Sequence, residues 1–485
     1  MKIYIPYENY RRDFLSRFLL GIELLEKKKC EEVQIGWFKN IFFNCFKDTI
    51  NNLSKKVAII DSNNFTYKYD LIKFFKFFDL NYYVIDEEEI GMLYVVDDKV
   101  NQHRFATEEF FELIDAKFKF SKQILELEKN YYNKDFSRKL IDSGNPRIQL
   151  LKQIRLAGTN FKKKFIFIAL PESCLYYSKL LFQLKSKKII FSNRPDKSIS
   201  EVEPRYKYVK EIIRLTKKLS KEFPEYNFLV RPHPVDAEFL GKYKFIFKNN
   251  KNVKISIEDD TKFLLLESIM TICGFDFVAL ESHLLGTNGI VYKGNLEDYF
   301  EDYKKHFSRN LPNFQYLKEF DEIRDYIQNK KFLKKNTIIS DELKNKLNLD
   351  KNINDIVCDN INLSKKSNSV FKKIVIFFSK RLFNKIEIYN KNIKEISFKD
   401  YLDFISYKNK LNNIVLIMLF GKNFLSCVFK TILFIKNKED SISRKIGLDQ
   451  TIDEKPLNSL VNLLKRKKIK YIIEENNFVI TIRNE

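Results

Sequence analysis

The chain is poor in the residues that mark stapled, fibrous or metal-bound proteins. Its 485 residues hold 12 glycines, 10 prolines, six cysteines, four histidines and a single tryptophan. So little Gly and Pro excludes a collagen-like or Gly/Pro-rich low-complexity chain. The cysteines (Cys30, Cys45, Cys174, Cys273, Cys358 and Cys427) are scattered without a C-x-x-C pair. That spacing excludes a disulfide framework and a zinc cluster, and fits the reduced thiols of a cytoplasmic protein. No G-x-G-x-x-G and no Walker A sequence occurs, which argues against an NAD enzyme and a P-loop ATPase. The opening MKIYIPYENYRRDF has no unbroken apolar run of the signal-peptide kind and reads as a strand entering a helix.

What the chain has in excess is bulky apolar and basic residues. Apolar residues make up 44% and charged ones 31%, with 46 Phe and 25 Tyr, enough for ordinary cores in about three structural units. Basic residues outnumber acidic ones 87 to 64, a net charge of +23. Such a surface favours polyanions: nucleic acid, anionic lipid or phosphorylated substrates. An AT-rich coding sequence enriches Lys, Asn, Ile and Phe in the same way, so the charge alone selects none of them. A nucleic-acid-binding protein is the disfavoured reading, because no helix-turn-helix signal, zinc cluster or RNP motif is present.

Short apolar runs alternate with amphipathic stretches. Strands are expected at 2–6, 57–61 and 82–85, and helices at 14–25 and 69–78, the rhythm of a parallel sheet covered on both faces. Residues 106–127 read as helical. The turn Ser143-Gly144-Asn145-Pro146-Arg147 closes a first domain, 1–150. In a second β/α unit, 151–364, strands are expected at 164–170, 188–192, 227–231, 253–257, 271–273 and 289–292. Its helices are expected at 205–223, 263–270 and 278–285.

Residues 365–485 read as a mainly helical basic extension. Between residues 361 and 438 there are 16 Lys and Arg against four Asp and Glu. The stretch 414–435 is long enough to span a bilayer, but Lys422, Asn423 and Lys430 interrupt it. Each central Lys costs about 2.5–3.5 kcal/mol in a membrane, so a buried helix pair or an interfacial segment fits better.

Five groups could carry chemistry. Arg231-Pro232-His233-Pro234 ends an expected strand, where open α/β sheets take ligands. The prolines fix the backbone around His233, and Arg231 supplies a permanent planar donor for phosphate; an equally weighted reading is a rigid solvated turn. Glu281, Ser282 and His283 lie near the start of an expected helix, whose free N–H groups favour an anion. Asp86-Glu87-Glu88-Glu89 crowds four carboxylates after a strand, which raises some of their pKa values and suits a general base. Glu8, Arg11, Arg12 and Asp13 follow the first strand, and Asn193-Arg194 follows the 188–192 strand. For the Glu281, acidic-run and Asn193-Arg194 groups a plain helix start or solvated loop is the commoner explanation; for Glu8, Arg11, Arg12 and Asp13 ordinary helix-start charges are an equally weighted one.

Taken in order, IYIPYENYRRDFLSRFLLG, VIDEEEIG, SGNPRIQLL, FLVRPHP and ALESHLLGTNGIVYK resemble the bacterial surface carbohydrate biosynthesis proteins, glycosyltransferases of the GT-B type, over residues 1 to about 364. The His-Pro and acidic elements are also similar to those of bacterial sialyltransferases that use CMP-activated sugars. The resemblance implies two Rossmann-like domains facing a cleft, and inverting transfer with no metal or other cofactor. The donor would be a nucleotide-sugar, a CMP-activated acidic sugar, and the acceptor a surface glycan or a lipid-linked glycan. It implies a base at Glu87 or Glu88, a phosphate site at Arg231 and His233, donor contacts at Glu281, Ser282 and Asn193, and acceptor contacts at Glu8, Arg11 and Arg12. The expected place is the cytoplasm, with peripheral contact to the anionic inner face of the membrane. Relatives carry Asp-Glu-Glu-Gly where Glu89 and Ile90 here precede Gly91. The alternatives are a nucleotide-sugar epimerase or hydrolase of the same fold, or a non-catalytic nucleic-acid binder.

Overall fold

The computed structural model describes residues 2–7, 10–51, 56–62, 68–85, 106–156, 163–171, 174–185, 199–233, 236, 239–257, 260–304, 306–333, 339–361, 373, 471–476 and 479–484. The first unit runs β1 (Lys2–Tyr7), α1 (Tyr10–Glu26), β2 (Glu32–Trp37), α2 (Phe38–Asn51), β3 (Val57–Asp61), α3 (Tyr69–Phe77) and β4 (Asn81–Ile85). It continues through α4 (Glu108–Leu113), β5 (Ala116–Lys119), α5 (Lys122–Tyr131), β6 (Leu140–Asp142) and α6 (Pro146–Leu156). Strands β1 to β6 pair in parallel, in the order β2-β1-β3-β4-β5-β6. Every residue of β1, β3 and β4 is buried, as expected of parallel strands covered on both faces.

The second unit runs β7 (Phe165–Ala169), α7 (Cys174–Lys185), α8 (Ile199–Glu222), β8 (Phe228–Arg231), α9 (Leu240–Ile246), β9 (Val253–Ile255), α10 (Thr261–Glu267) and β10 (Ser268–Cys273). It ends with α11 (Phe277–Leu284), β11 (Gly289–Tyr292), α12 (Glu301–Lys304), β12 (Phe314–Leu317), α13 (Phe320–Gln328) and α14 (Asp341–Lys346). Its six strands are all parallel, ordered β12-β11-β10-β7-β8-β9. Two open parallel α/β sheets, each with its own apolar core, make the α/β class with paired Rossmann-like units that the sequence led us to expect.

One expectation is corrected. Residues 106–127 are not one helix. Thr107 caps α4, its hydroxyl accepting from the Phe110 amide at 3.3 Å, and Ser121 caps α5. Between them β5 carries Lys117 and Lys119, whose ammonium groups lie 2.9 and 2.6 Å from Glu128 carboxylate oxygens. The charged-apolar alternation that looked helical belongs to a strand whose lysines are neutralised inside the protein.

The helix α15 (Ile353–Asn360) returns to the first core through Ile353, Val357 and Cys358, and Asn354 donates to Glu23 at 3.1 Å. Strands β13 (Tyr471–Asn476) and β14 (Val479–Asn484) form an antiparallel hairpin, and β14 extends the first sheet by pairing with β2, Val479 opposite Gly36. The expected strand at 188–192 and the apolar stretch 414–435 lie outside the described residues. Among the described residues no helix is long and apolar enough to cross a membrane.

The junction between the units is held by local chemistry. Gly144 has φ +115°, and a Cβ there would sit 3.3 Å from the Lys351 carbonyl oxygen, so glycine is required. The Asn145 side chain accepts from the Arg147 and Ile148 amides at 2.9 and 3.4 Å. Pro146 then starts α6 at the position where its missing N–H costs nothing. The helix lies between the cores, Leu150 in the first and Ile148 and Leu151 in the second.

Candidate functional site at the carboxyl ends of the two sheets

In the second sheet β8 ends at Arg231, whose carbonyl accepts from the Leu170 amide at 3.0 Å. Arg231 and His233 are half-buried and Pro232 is buried. The His233 carbonyl accepts from the Asp236 amide at 2.8 Å. The buried Asp236 carboxylate in turn accepts from the Leu175 amide at the start of α7 (3.3 Å) and from the Tyr243 hydroxyl on α9. The Arg-Pro-His turn is thus anchored from two helices.

Two strands away in the same sheet, β10 leads through Gly274 into α11. A Cβ on Gly274 would lie 2.5 Å from the Pro171 ring and 2.6 Å from the Tyr208 hydroxyl. Asp276 caps α11 by accepting from the Val278 amide at 2.8 Å. Glu281 therefore stands one turn into the helix rather than in its first turn. Its carboxylate meets Arg147, Nη2 to Oε1 at 2.6 Å, with the side chains 18% and 5% exposed. The same guanidinium lies 4.8 Å from the centroid of the Phe277 ring, and its Nε is buried without a hydrogen-bond partner.

This ion pair joins the start of α6, just beyond the carboxyl end of β6, to the helix that follows β10. Arg155 Nη1 also donates to the Leu284 carbonyl at 3.5 Å, so α6 and α11 pack along one another across the two units. Arg147 entered the sequence reading only as a turn residue. A partner 134 positions away leaves no local signal.

Ser282 and His283 face inward. The Ser282 hydroxyl lies 2.9 Å from that of Thr271 and donates to the Thr287 carbonyl at 3.2 Å, so it fastens α11 to β10 and is not presented to a ligand. The Asn313 amide donates to the Thr287 carbonyl at 2.8 Å, which turns its oxygen toward His283 Nδ1. His283 Nδ1 is then the donor, and Nε2 is buried without a partner. Burial lowers the His283 pKa below its ordinary value, against the opposing pull of the Asn313 bond, so the ring stays neutral.

In the first sheet β3 ends at Asp61, a fully buried carboxylate. It accepts from Lys68 at 2.8 and 3.1 Å, from the Tyr82 hydroxyl at 2.5 Å and from the Ser62 amide at 2.8 Å. Arg11 and Arg12 lie in the first turns of α1, but their side chains, together with Glu8, Glu87, Glu88 and Asn193, lie outside the described residues. The acidic run begins where β4 leaves the sheet at Ile85. Among the described residues no group of three or more His, Cys, Asp or Glu is arranged to hold a metal ion. A separate groove of about 460 Å³ between α7 and α8 is lined by Ser178, Tyr206, Lys207, Lys210, Glu211 and Arg214, among others. None of the residues singled out from the sequence lines it.

No family model and no curated protein matches the sequence. Solved structures similar in overall fold include the UDP-GlcNAc 2-epimerase of Methanocaldococcus jannaschii, in complex with UDP-GlcNAc and UDP. It is 12% identical, with a TM-score of 0.43 over 74% of this chain and 98% of that one. The Escherichia coli heptosyltransferase WaaC with ADP is 11% identical, with a TM-score of 0.33 over 68% and 99%. The wall teichoic acid polymerase TagF is 14% identical, with a TM-score of 0.30 over 71% and 96%. These likenesses assign no role to any residue.

Proposed function

We propose that the chain is an inverting, metal-independent glycosyltransferase of GT-B type. It would move a sugar from a nucleotide-sugar donor, a CMP-activated acidic sugar, to a surface glycan or lipid-linked acceptor. The observation that carries the reading is the Arg147–Glu281 pair, which links the helix after β6 of one parallel sheet to the helix after β10 of the other; such sheets bind ligands beyond the carboxyl ends of their strands. The Arg231–His233 turn ends β8, two strand spacings from β10, a separation of about 10 Å that a nucleotide bridges.

In this reading Arg231 and His233 neutralise the departing phosphate, and Glu281 holds the ribose hydroxyls with the oxygen that Arg147 leaves available. Asn193 adds a donor contact, and Ser282 contributes by seating α11. An acceptor hydroxyl, placed by Glu8, Arg11 and Arg12, attacks the anomeric carbon opposite the phosphate. Its proton passes to Glu87 or Glu88, and the phosphate leaves with the bonding electron pair. Charge neutralisation by fixed Arg and His side chains supplies what a metal ion would otherwise supply.

A thermal-shift series with CMP, CDP, UDP and GDP tests the donor class: the largest rise is expected with CMP, and no rise with any nucleotide rejects the site. Incubation with donor alone separates the chemistries, because an epimerase or hydrolase consumes it without acceptor. We also propose that residues 361–438, outside the described residues but for Ile361 and Lys373, tether the enzyme to anionic lipid at the inner membrane face. Since β14 pairs with β2, this is tested by neutralising lysines in that stretch and repeating liposome flotation, not by truncation. Unchanged flotation rejects the tether.

A further inference from the structure

We infer that α9 and the edge strand β9 form a second, folded contact face for an anionic lipid bilayer. The face stands on its own residues and does not depend on the transfer chemistry. Between residues 239 and 257 the chain has no Asp or Glu and five lysines, Lys242, Lys244, Lys248, Lys251 and Lys254, every one of them exposed. Among them Phe245 is 67% exposed, an unusual position for a large aromatic ring. The neighbouring helix adds Lys217, whose ammonium lies 5.9 Å from the Phe247 ring centroid.

Lysines on an edge strand are a usual guard against strand-to-strand aggregation, and that accounts for Lys254, the middle residue of β9. It does not account for the protruding phenylalanine. The Lys248 ammonium stands 4.3 Å from the centroid of Phe245, and Lys242 stands 4.9 Å from that of Phe239. An exposed aromatic ring beside an ammonium group, with further lysines along the same segment, is suited to the headgroup boundary: the ring enters the acyl layer while the lysines remain among the phosphates. A single-stranded nucleic acid, the other polyanion, would need an open ring face for base stacking, and Lys248 covers one face of Phe245.

The position of this face relative to the proposed site follows from the fold. Tyr243, on the same helix as Phe245, donates to Asp236, whose amide is bonded to His233. A bilayer bound at α9 would thus lie beside the turn that carries Arg231 and His233.

The test uses the full-length protein and sedimentation with vesicles of phosphatidylcholine, alone or with a third phosphatidylglycerol. Binding is expected only to the anionic vesicles. F245S is expected to lower the partition coefficient about tenfold, and the triple variant K242E/K244E/K248E by more, with unchanged circular dichroism because all four side chains are exposed. In F245W, the new indole should be quenched by brominated acyl chains, while wild-type Trp37, which is 8% exposed, should not. Equal binding by wild type and variants, or an unquenched F245W, would overturn the inference. So would variants that keep vesicle binding and lose RNA binding. Transfer to a short soluble acceptor should be unaffected in F245S, so failure of the lipid face and failure of the catalytic reading are told apart.

Discussion

Two buried glutamates show how the two halves of the molecule use charge differently. In the first unit Glu128 is fully enclosed and faces two lysines from one strand, Lys117 and Lys119, with the Tyr132 hydroxyl donating as well at 3.0 Å. In the second unit Glu281 has one cation, Arg147, which is 18% exposed and retains an unpartnered Nε. The first carboxylate is enclosed and faces two cations of its own unit. The second meets one cation, which comes from the other unit. The difference is between a charge pair closed within one unit and a pair that spans two.

The contrast breaks most sharply at Glu128. Glu128→Ala removes the enclosed carboxylate that Lys117 and Lys119 both face, an expected loss of about 3–5 kcal/mol; urea unfolding that shows less than about 1 kcal/mol would contradict a structural role. His233→Ala should do the opposite. We expect it to fold normally and lose transfer by about 10²–10³-fold, the usual cost of removing one preorganised contact to developing charge. Steady-state rates check this, and unchanged turnover removes His233 from the mechanism.

These two variants also mark what could be read from the sequence. The strands at 57–61 and 289–292 were legible to the residue because they are short apolar runs buried on both faces. The Arg-Pro-His turn was legible because proline restricts backbone regardless of context. Strand β2 and helix α2 were missed: EVQIGW alternates partly exposed and buried positions and lacks an apolar run. Strand β5 was misread because nothing local shows that Lys117 and Lys119 find Glu128. Arg147 and the return of β14 to β2 depend on contacts between residues far apart in the chain, which no window of sequence contains. Of the candidate site, the Arg231–His233 turn was therefore legible in the sequence and the Arg147–Glu281 junction was not.

The junction pair gives a smaller, sharper test. Arg147→Met strands Glu281 and should cost about 2 kcal/mol, the range for a charged hydrogen bond, together with about a tenfold loss of nucleotide affinity by calorimetry. Arg147→Lys should recover part of both, since lysine keeps the charge without the planar fork. A variant that loses stability but binds nucleotide as before would make the pair a strut only.

The least dramatic expectation concerns acid. The two lysines hold the Glu128 pKa down at about 2 against an ordinary 4.5, overcoming the upward push of burial. A depressed carboxylate stabilises the fold fully above the unfolded value, and that contribution is lost as pH falls from about 4.5 toward 2. Urea midpoints at pH 7, 4.5 and 3 should fall across the last interval in wild type and fall less in Glu128→Gln; parallel profiles would contradict the assignment.

The most direct test is amide hydrogen exchange of the full-length protein with and without CMP. Protection is expected together at the end of β8, residues 231–233, and at the start of α11, residues 277–281. Protection confined to the α7–α8 groove, or none at either strand end, would contradict a nucleotide site where the two sheets meet.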